Sequence, residues 1–134
     1  MYKHLMYINM KTKLKLFGRV ILGIILFVFG LNKFLHFIPQ PPASEEMMLA
    51  FGSLMSLGFI MPTVAIIEVT VGLALLINKF KSLALVVLVP ISYSMIAFHL
   101  AFDINGILMA AIVGVLNIYL LLIEKEKFSQ VLTP

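Results

Sequence analysis

The stretch from residue 17 to residue 42, FGRVILGIILFVFGLNKFLHFIPQPP, constrains the fold more than any other part of the chain. Between Arg19 and Lys33 it has no charged residue, and its apolar character continues to Ile38. A helix that crosses a bilayer requires about 20 predominantly apolar residues. The prolines at 39, 41 and 42 then end such a helix, because proline cannot donate a backbone hydrogen bond. The stretch therefore predicts a membrane-spanning helix.

The amino-acid composition indicates the same class of protein. Of the 134 residues 62% are hydrophobic and 12% are charged, whereas soluble domains are about 45–50% apolar. The net charge of +4 reflects lysines near the predicted helix ends, which is typical of membrane topology and does not indicate a nucleic-acid partner. The chain has no cysteine and no helical metal-binding motif, so no metal site is predicted. The predicted surroundings are a lipid bilayer.

Apolar runs separated by turn residues divide the rest of the chain. They predict an all-α fold, a bundle of four transmembrane helices at about residues 16–38, 62–78, 82–101 and 106–123. A basic segment, residues 1–15, precedes this membrane domain of residues 16–124, and a charged tail, residues 125–134, follows it.

A shorter helix is predicted between the first two spans, at about residues 45–57. Ser44 is a favourable N-cap residue, and Glu45 and Glu46 would lie at the positive end of the helix. The segment is too short to cross a bilayer. We therefore expect an interfacial or re-entrant helix on the outer face.

Positive charge predicts the orientation of the bundle. Four spans place both termini and the loop between the second and third spans on one side, and nine of the ten Lys and Arg residues lie there. The opposite loops hold three acids, Glu45, Glu46 and Asp103. Because cytoplasmic loops carry the excess of Lys and Arg, both terminal segments are expected in the cytoplasm.

Three ionisable residues fall near the outer ends of the spans: Lys33, Glu68 and His99. With a rise of about 1.5 Å per residue, each lies within about 10 Å of the outer edge. A Lys33–Glu68 ion pair would offset the cost of a lone charge, roughly 2.5–3.5 kcal/mol at the bilayer centre. Such a pair is either structural, fixing the register of two helices, or a proton-conducting or ligand-binding group.

His99 has two interpretations of its own. It is either a helix-end histidine bonded to Asp103, or a proton relay or hydrogen-bond donor to a quinone ring. Glu68 and His99 are therefore the catalytic candidates, and both join Lys33 as ligand-binding candidates.

Four other polar residues are expected to be structural: Arg19, Asn32, His36 and Asn117. Arg19 is placed to anchor the first span at the cytoplasmic face, and Asn117 to form an interhelical hydrogen bond.

Small residues predict close helix contacts. On the first span Gly23 and Gly30 share a stripe with Arg19 and Lys33, which should face protein and not lipid. On the fourth span small residues recur every four positions, at Gly106, Ala110 and Gly114. This second seam predicts a contact either within the bundle or with a second copy in a homo-oligomer.

A family resemblance rests on residues of three spans: Arg19, Gly23, the segment from Gly30 to Phe34, Glu68 with Gly72, and His99. In their order, spacing and placement, these residues resemble the DoxX family of small four-helix membrane proteins over about residues 16–124. The resemblance implies a multi-pass protein of the bacterial cytoplasmic membrane, since the namesake of the family accompanies a thiosulfate:quinone oxidoreductase or a terminal quinol oxidase.

The resemblance also implies a function. It favours an accessory or quinone-associated component of a membrane redox system, with redox subunits as partners and quinone as the one cofactor implied. If the chain takes part in catalysis, it is expected to act as a subunit of a quinone-linked oxidoreductase and not alone. Two alternatives remain open: a small proton-coupled transporter using Glu68 and Lys33, and a structural assembly partner without catalytic activity.

Overall fold

The fold is built from helices. The computed structural model describes residues 1–133, and this part of the chain contains no β-strand. Its α-helices are, in order, α1 (Tyr2–Leu35), α2 (Glu45–Ser56), α3 (Ile60–Leu76), α4 (Lys81–Phe102), α5 (Ile107–Ile123) and α6 (Lys125–Leu132). One turn of 3-10 helix (Ile104–Gly106) joins α4 to α5. The predicted all-α class is confirmed, and residue 134 of the predicted tail lies outside the described residues.

Four of these helices pack side by side in a ring. α1 packs most extensively against α3, α3 contacts α4, α4 contacts α5, and α5 returns to α1. Leucines fill the interior, among them Leu22 of α1, Leu75 of α3 and Leu88 of α4, which are fully buried. We call the end of the ring where Lys15 and Glu124 meet the basic end, and the other end the opposite end.

The helices suit a lipid environment. α1, α4 and the unit Ile104–Ile123 are each long and apolar enough to cross a membrane. α2 and α3 satisfy the same criterion only as a pair, with a bend of 91° between them. Large apolar side chains, including Val115, Ile118 and Leu122 of α5, lie exposed on the outside of the ring, as expected where helices face lipid. The chain is therefore a multi-pass membrane protein.

α1 differs from its predicted extent, residues 16–38. It begins at Tyr2, because residues 2–17 contain no glycine or proline that would interrupt a helix. It ends at Leu35, and His36 adopts the left-handed conformation with φ of 52°. Asn32 holds this ending: its Oδ1 accepts from the Ile38 N–H at 2.6 Å, and its Nδ2 donates to the Ile38 carbonyl at 3.3 Å. The chain thus turns before it reaches the prolines.

α2 begins at the predicted N-cap. Ser44 Oγ accepts a hydrogen bond from the Met47 N–H at 3.1 Å. Ser44 also ties α2 to the end of α4, since its N–H donates to the Asp103 carboxylate and its hydroxyl to the Phe102 carbonyl, both at 2.9 Å. α2 therefore lies at the opposite end of the ring, against α3 and α4.

Glycines bring α1 and α3 into close contact. A Cβ on Gly72 would lie 2.6 Å from the Phe27 nitrogen and 2.8 Å from the Gly23 carbonyl oxygen, where no side chain fits. A Cβ on Gly30 would lie 2.9 Å from the Val69 nitrogen. Gly23 and Gly30 are buried, which confirms that the stripe of α1 faces protein.

The small-residue seam of α5 packs inside the chain. Ala110 and Gly114 are buried, and a Cβ on Gly114 would lie 2.5 Å from Cδ1 of Ile96 on α4. Of the two alternatives for this seam, the structure contains the contact within the bundle. A homo-oligomer that used Gly114 would require Ile96 of α4 to move away from it.

Candidate functional site

Lys33 and Glu68 form an ion pair between α1 and α3. Lys33 Nζ lies 2.5 Å from Glu68 Oε2, and the side chains are 26% and 2% exposed respectively. Gly30, one turn before Lys33, lets the Glu68 side chain pack against α1, since a Cβ at Gly30 would lie 3.0 Å from the Cβ of Glu68. The pairing predicted from the sequence is confirmed.

The lysine of this pair retains hydrogen-bonding capacity. An ammonium group has three N–H donors, and Glu68 is the one hydrogen-bond acceptor of Lys33 among the described residues. A quarter of the Lys33 side chain is exposed. Its remaining donors are therefore open to an acceptor that approaches from outside the ring, while the Glu68 carboxylate balances the charge.

His99 is half-buried near the end of α4 and faces the 3-10 turn. Its Nδ1 lies 3.3 Å from the backbone carbonyl oxygen of Asp103, and a Cβ on Gly106 would lie 2.5 Å from its Cε1. The expected partner residue is correct, but the contact is to its backbone and not to its carboxylate. The carboxylate of Asp103 accepts hydrogen bonds from the N–H groups of Ser44 and Asn105, and these hydrogen bonds lower the pKa of Asp103.

The ion pair and His99 have different neighbours. The ion pair lies between α1 and α3, whereas His99 contacts the turn that follows its own helix. A groove of about 810 Å³ lies instead between α2 and α4, with Leu49, Ser53, Phe98 and Phe102 among its lining residues. None of Lys33, Glu68 and His99 lines this groove.

The residues predicted to be structural occupy helix ends and helix contacts. Arg19 donates to the carbonyl of Leu75 near the end of α3, where a cation also favours the negative end of the helix. The buried Asn117 donates through Nδ2 to the Leu85 carbonyl at 3.2 Å and so links α5 to α4. The His36 side chain is exposed.

A second charged cluster, at the basic end, was not predicted. Glu124 is 3% exposed, and lysines from three separate helices surround its carboxylate. Its Oε1 lies 2.9 Å from Lys15 Nζ and 3.3 Å from Lys81 Nζ, and its Oε2 lies 2.7 Å from Lys127 Nζ. The hydroxyl of Ser82 donates to the same Oε2 at 3.2 Å.

Ionisation of Glu124 is strongly favoured by this arrangement. Burial of the carboxyl group acts against its ionisation, but the hydrogen bonds from Lys127, Lys15 and Lys81 outweigh burial and lower the pKa of Glu124 to about 2. The sequence does contain a signal for this cluster, because the predicted topology brings residues 15, 81, 124 and 127 to one end of the bundle.

Comparison with known families decides the relationship that the motifs indicated. The family model named DoxX matches residues 14–101, which are 88 of the 134 residues. The chain belongs to the DoxX family. The DoxX match includes Lys33, Glu68 and His99 but ends at the end of α4, so α5 and Glu124 lie beyond it, and the expected resemblance over residues 16–124 is confirmed as far as residue 101. Comparison of this DoxX protein with curated proteins and with solved structures found no match.

Proposed function

We propose that this DoxX protein is an accessory, quinone-associated component of a redox system in the bacterial cytoplasmic membrane. The observation that carries the proposal is the Lys33–Glu68 pair, in which a partly exposed ammonium group is held beside a buried carboxylate. The quinone carbonyl is a hydrogen-bond acceptor, and the unused N–H donors of Lys33 meet that requirement. Glu68 neutralises the ammonium and so lowers the cost of keeping it among apolar helices.

The same geometry supports an accessory role over catalysis by this chain alone. Each of the two catalytic candidates is already engaged, Glu68 by Lys33 and His99 by the carbonyl of Asp103. Groups that are held in this way are suited to bind and orient a ligand. The redox chemistry is then supplied by the partner subunits.

The proposal includes four spans with both termini in the cytoplasm. α3 has 17 residues, about 26 Å at 1.5 Å per residue, close to the hydrocarbon thickness of about 30 Å. α3 packs along α1 from the Gly23–Gly72 contact to the Lys33–Glu68 contact. If α1 spans the bilayer, α3 therefore spans it beside α1. α2 then lies on the outer face, and the basic end of the ring faces the cytoplasm.

Titration of a short-chain quinone into the purified protein, followed by calorimetry, tests the proposal. Wild type should bind saturably, and Lys33→Met should bind about tenfold more weakly, because a hydrogen bond from a charged donor is lost. The double variant Lys33→Met/Glu68→Gln should bind equally weakly although it leaves no unpaired charge. Lys79→Met, an exposed lysine at the basic end, is the matched control and should bind as wild type does. Equal binding by all four proteins would refute the quinone assignment.

Proton-coupled transport is the second candidate, because a charged pair lies between two membrane-embedded helices. It requires Glu68 to release and accept a proton during transport, so Glu68→Gln should abolish solute-dependent proton uptake into proteoliposomes. Uptake that persists in this variant would exclude a transport cycle through Glu68. A purely structural assembly role would leave both quinone binding and proton uptake undetectable.

A further inference from the structure

The basic end of the ring contains a pocket beside the Glu124 cluster. It has a volume of about 350 Å³ and is lined by Asn78, Phe80, Lys81, Ser82, Leu83 and Lys127. This volume is at the lower end of the range typical of ligand pockets, about 300–1,000 Å³. Lys81 and Lys127 therefore contact the Glu124 carboxylate and also line the pocket.

The charges of the cluster do not balance. Three ammonium groups surround one carboxylate, which leaves an excess of positive charge where the pocket opens. Each ammonium has three N–H donors, and all three ammonium groups share the two oxygens of one carboxylate. At physiological ionic strength an excess charge attracts anions within a distance of about 8 Å. An anion in the pocket would relieve the repulsion between the lysines.

We propose that this pocket binds the phosphate group of an anionic phospholipid from the adjoining leaflet. Lys81 and Lys127 are the groups that would contact the phosphate oxygens, as basic pockets between membrane helices contact lipid head groups. The first turn of α4 lies at the same place and has no side-chain cap at Phe80, so the positive end of its dipole adds to the attraction.

Apolar residues at the pocket favour a lipid over free phosphate. Phe80 is 79% exposed and Leu83 is 63% exposed, and both line the pocket together with the lysines. Val87, also exposed, lies one turn beyond Leu83 on the same side of α4. This apolar strip leads from the pocket along the span, where an acyl chain attached to the phosphate would lie. Inorganic phosphate has no apolar part that could contact this strip.

Thermal unfolding of the full-length protein in non-ionic detergent tests this site. Short-chain phosphatidylglycerol should raise the unfolding midpoint saturably, and phosphatidylcholine of the same chain length and inorganic phosphate should not. In Lys127→Gln the half-saturating concentration of phosphatidylglycerol should rise about fivefold. Lys125→Gln removes the same charge from an exposed position that does not line the pocket, and it should respond as wild type does.

A second variant leaves the Glu124 cluster intact. Leu83 is not a member of the lysine–carboxylate pairs and is 63% exposed. Leu83→Gln should therefore fold normally and still bind phosphatidylglycerol about threefold more weakly, since the acyl chain loses an apolar contact. A response to phosphatidylglycerol no larger than to phosphatidylcholine would overturn the site. Equal weakening in the Lys125 and Lys127 variants would do the same. Saturation by inorganic phosphate at the same concentration would overturn the lipid assignment.

Discussion

Lys33 Nζ lies 2.5 Å from Glu68 Oε2, and this contact joins α1 to α3 across 35 positions of sequence. Together with the approach of Gly23 to Gly72, it fixes both the rotation and the height of one helix against the other. The pair has a structural consequence, whatever ligand it binds, and the two effects are separable by experiment.

Removal of one partner should destabilise the protein more than removal of both. Lys33→Met leaves the buried carboxylate of Glu68 unpaired and should cost about 3 kcal/mol in the free energy of unfolding. Lys33→Met/Glu68→Gln leaves no charge and should unfold at a higher temperature than either single variant. Thermal unfolding of wild type, Lys33→Met, Glu68→Gln and the double variant in the same detergent measures this difference. Additive losses would show that the two residues do not stabilise each other.

The close contact between α1 and α3 at Gly72 leads to a second prediction. Gly72→Ala places a methyl group 2.6 Å from the backbone nitrogen of Phe27, so α1 and α3 must separate, at a cost of about 1–3 kcal/mol. Gly52, in α2, has no atom within 4 Å of its Cβ position. Gly52→Ala is therefore the matched control and should stabilise the protein by about 0.5–1 kcal/mol. Similar unfolding temperatures for the two variants would contradict the close packing of α1 on α3.

The sequence was sufficient to predict the ion pair and the contact of His99 with Asp103, but not that His99 packs against Gly106 of the 3-10 turn. The depth of a residue in the membrane follows from counting residues along its helix. Because a charged side chain at that depth needs a partner of opposite charge, the pairing of Lys33 with Glu68 was predictable. The direction in which His99 points depends on how α4 is rotated against its neighbours. Its own hydrophobic pattern does not settle that rotation, because lipid and protein interior are both apolar.

Two further differences arise from the ends of the chain. α1 extends to Tyr2, because its lysine-rich first half favours helix as strongly as its apolar half does. The charge of residues 1–15 had indicated a segment separate from the first span. Glu124 belongs to a charged run of the kind that usually faces water. Its burial follows from lysines on α1, α4 and α6 that converge only in the folded chain.

Acidic pH should lower the stability that the Glu124 cluster gives to the fold. The pKa of Glu124 is lowered from 4.5 to about 2, so its ionised form stabilises the fold above pH 4.5, and this contribution disappears as the pH falls towards 2. The full contribution is up to about 3 kcal/mol. Wild type should therefore unfold at a higher temperature than Glu124→Gln at pH 6, and the difference should vanish near pH 2. A difference that does not change with pH would contradict the ionised cluster.

The orientation of the bundle is testable by labelling. Single cysteines introduced at Lys79 and at Glu45, both exposed, lie at opposite ends of the ring in the cysteine-free chain. In intact cells a membrane-impermeant maleimide should label the cysteine at 45 and not the cysteine at 79, because lysine-rich loops remain in the cytoplasm. The reverse pattern would place both termini outside.

The quinone content of protein purified from its native membrane in mild detergent tests the central claim most directly. Solvent extraction and absorbance spectroscopy give the amount of quinone per chain. Wild type and Lys79→Met should contain quinone in stoichiometric amount, and Lys33→Met/Glu68→Gln should contain none above the level of a mock purification. Wild-type protein without quinone, or a double variant with the same content as wild type, would contradict the assignment of the Lys33 ammonium as the quinone ligand.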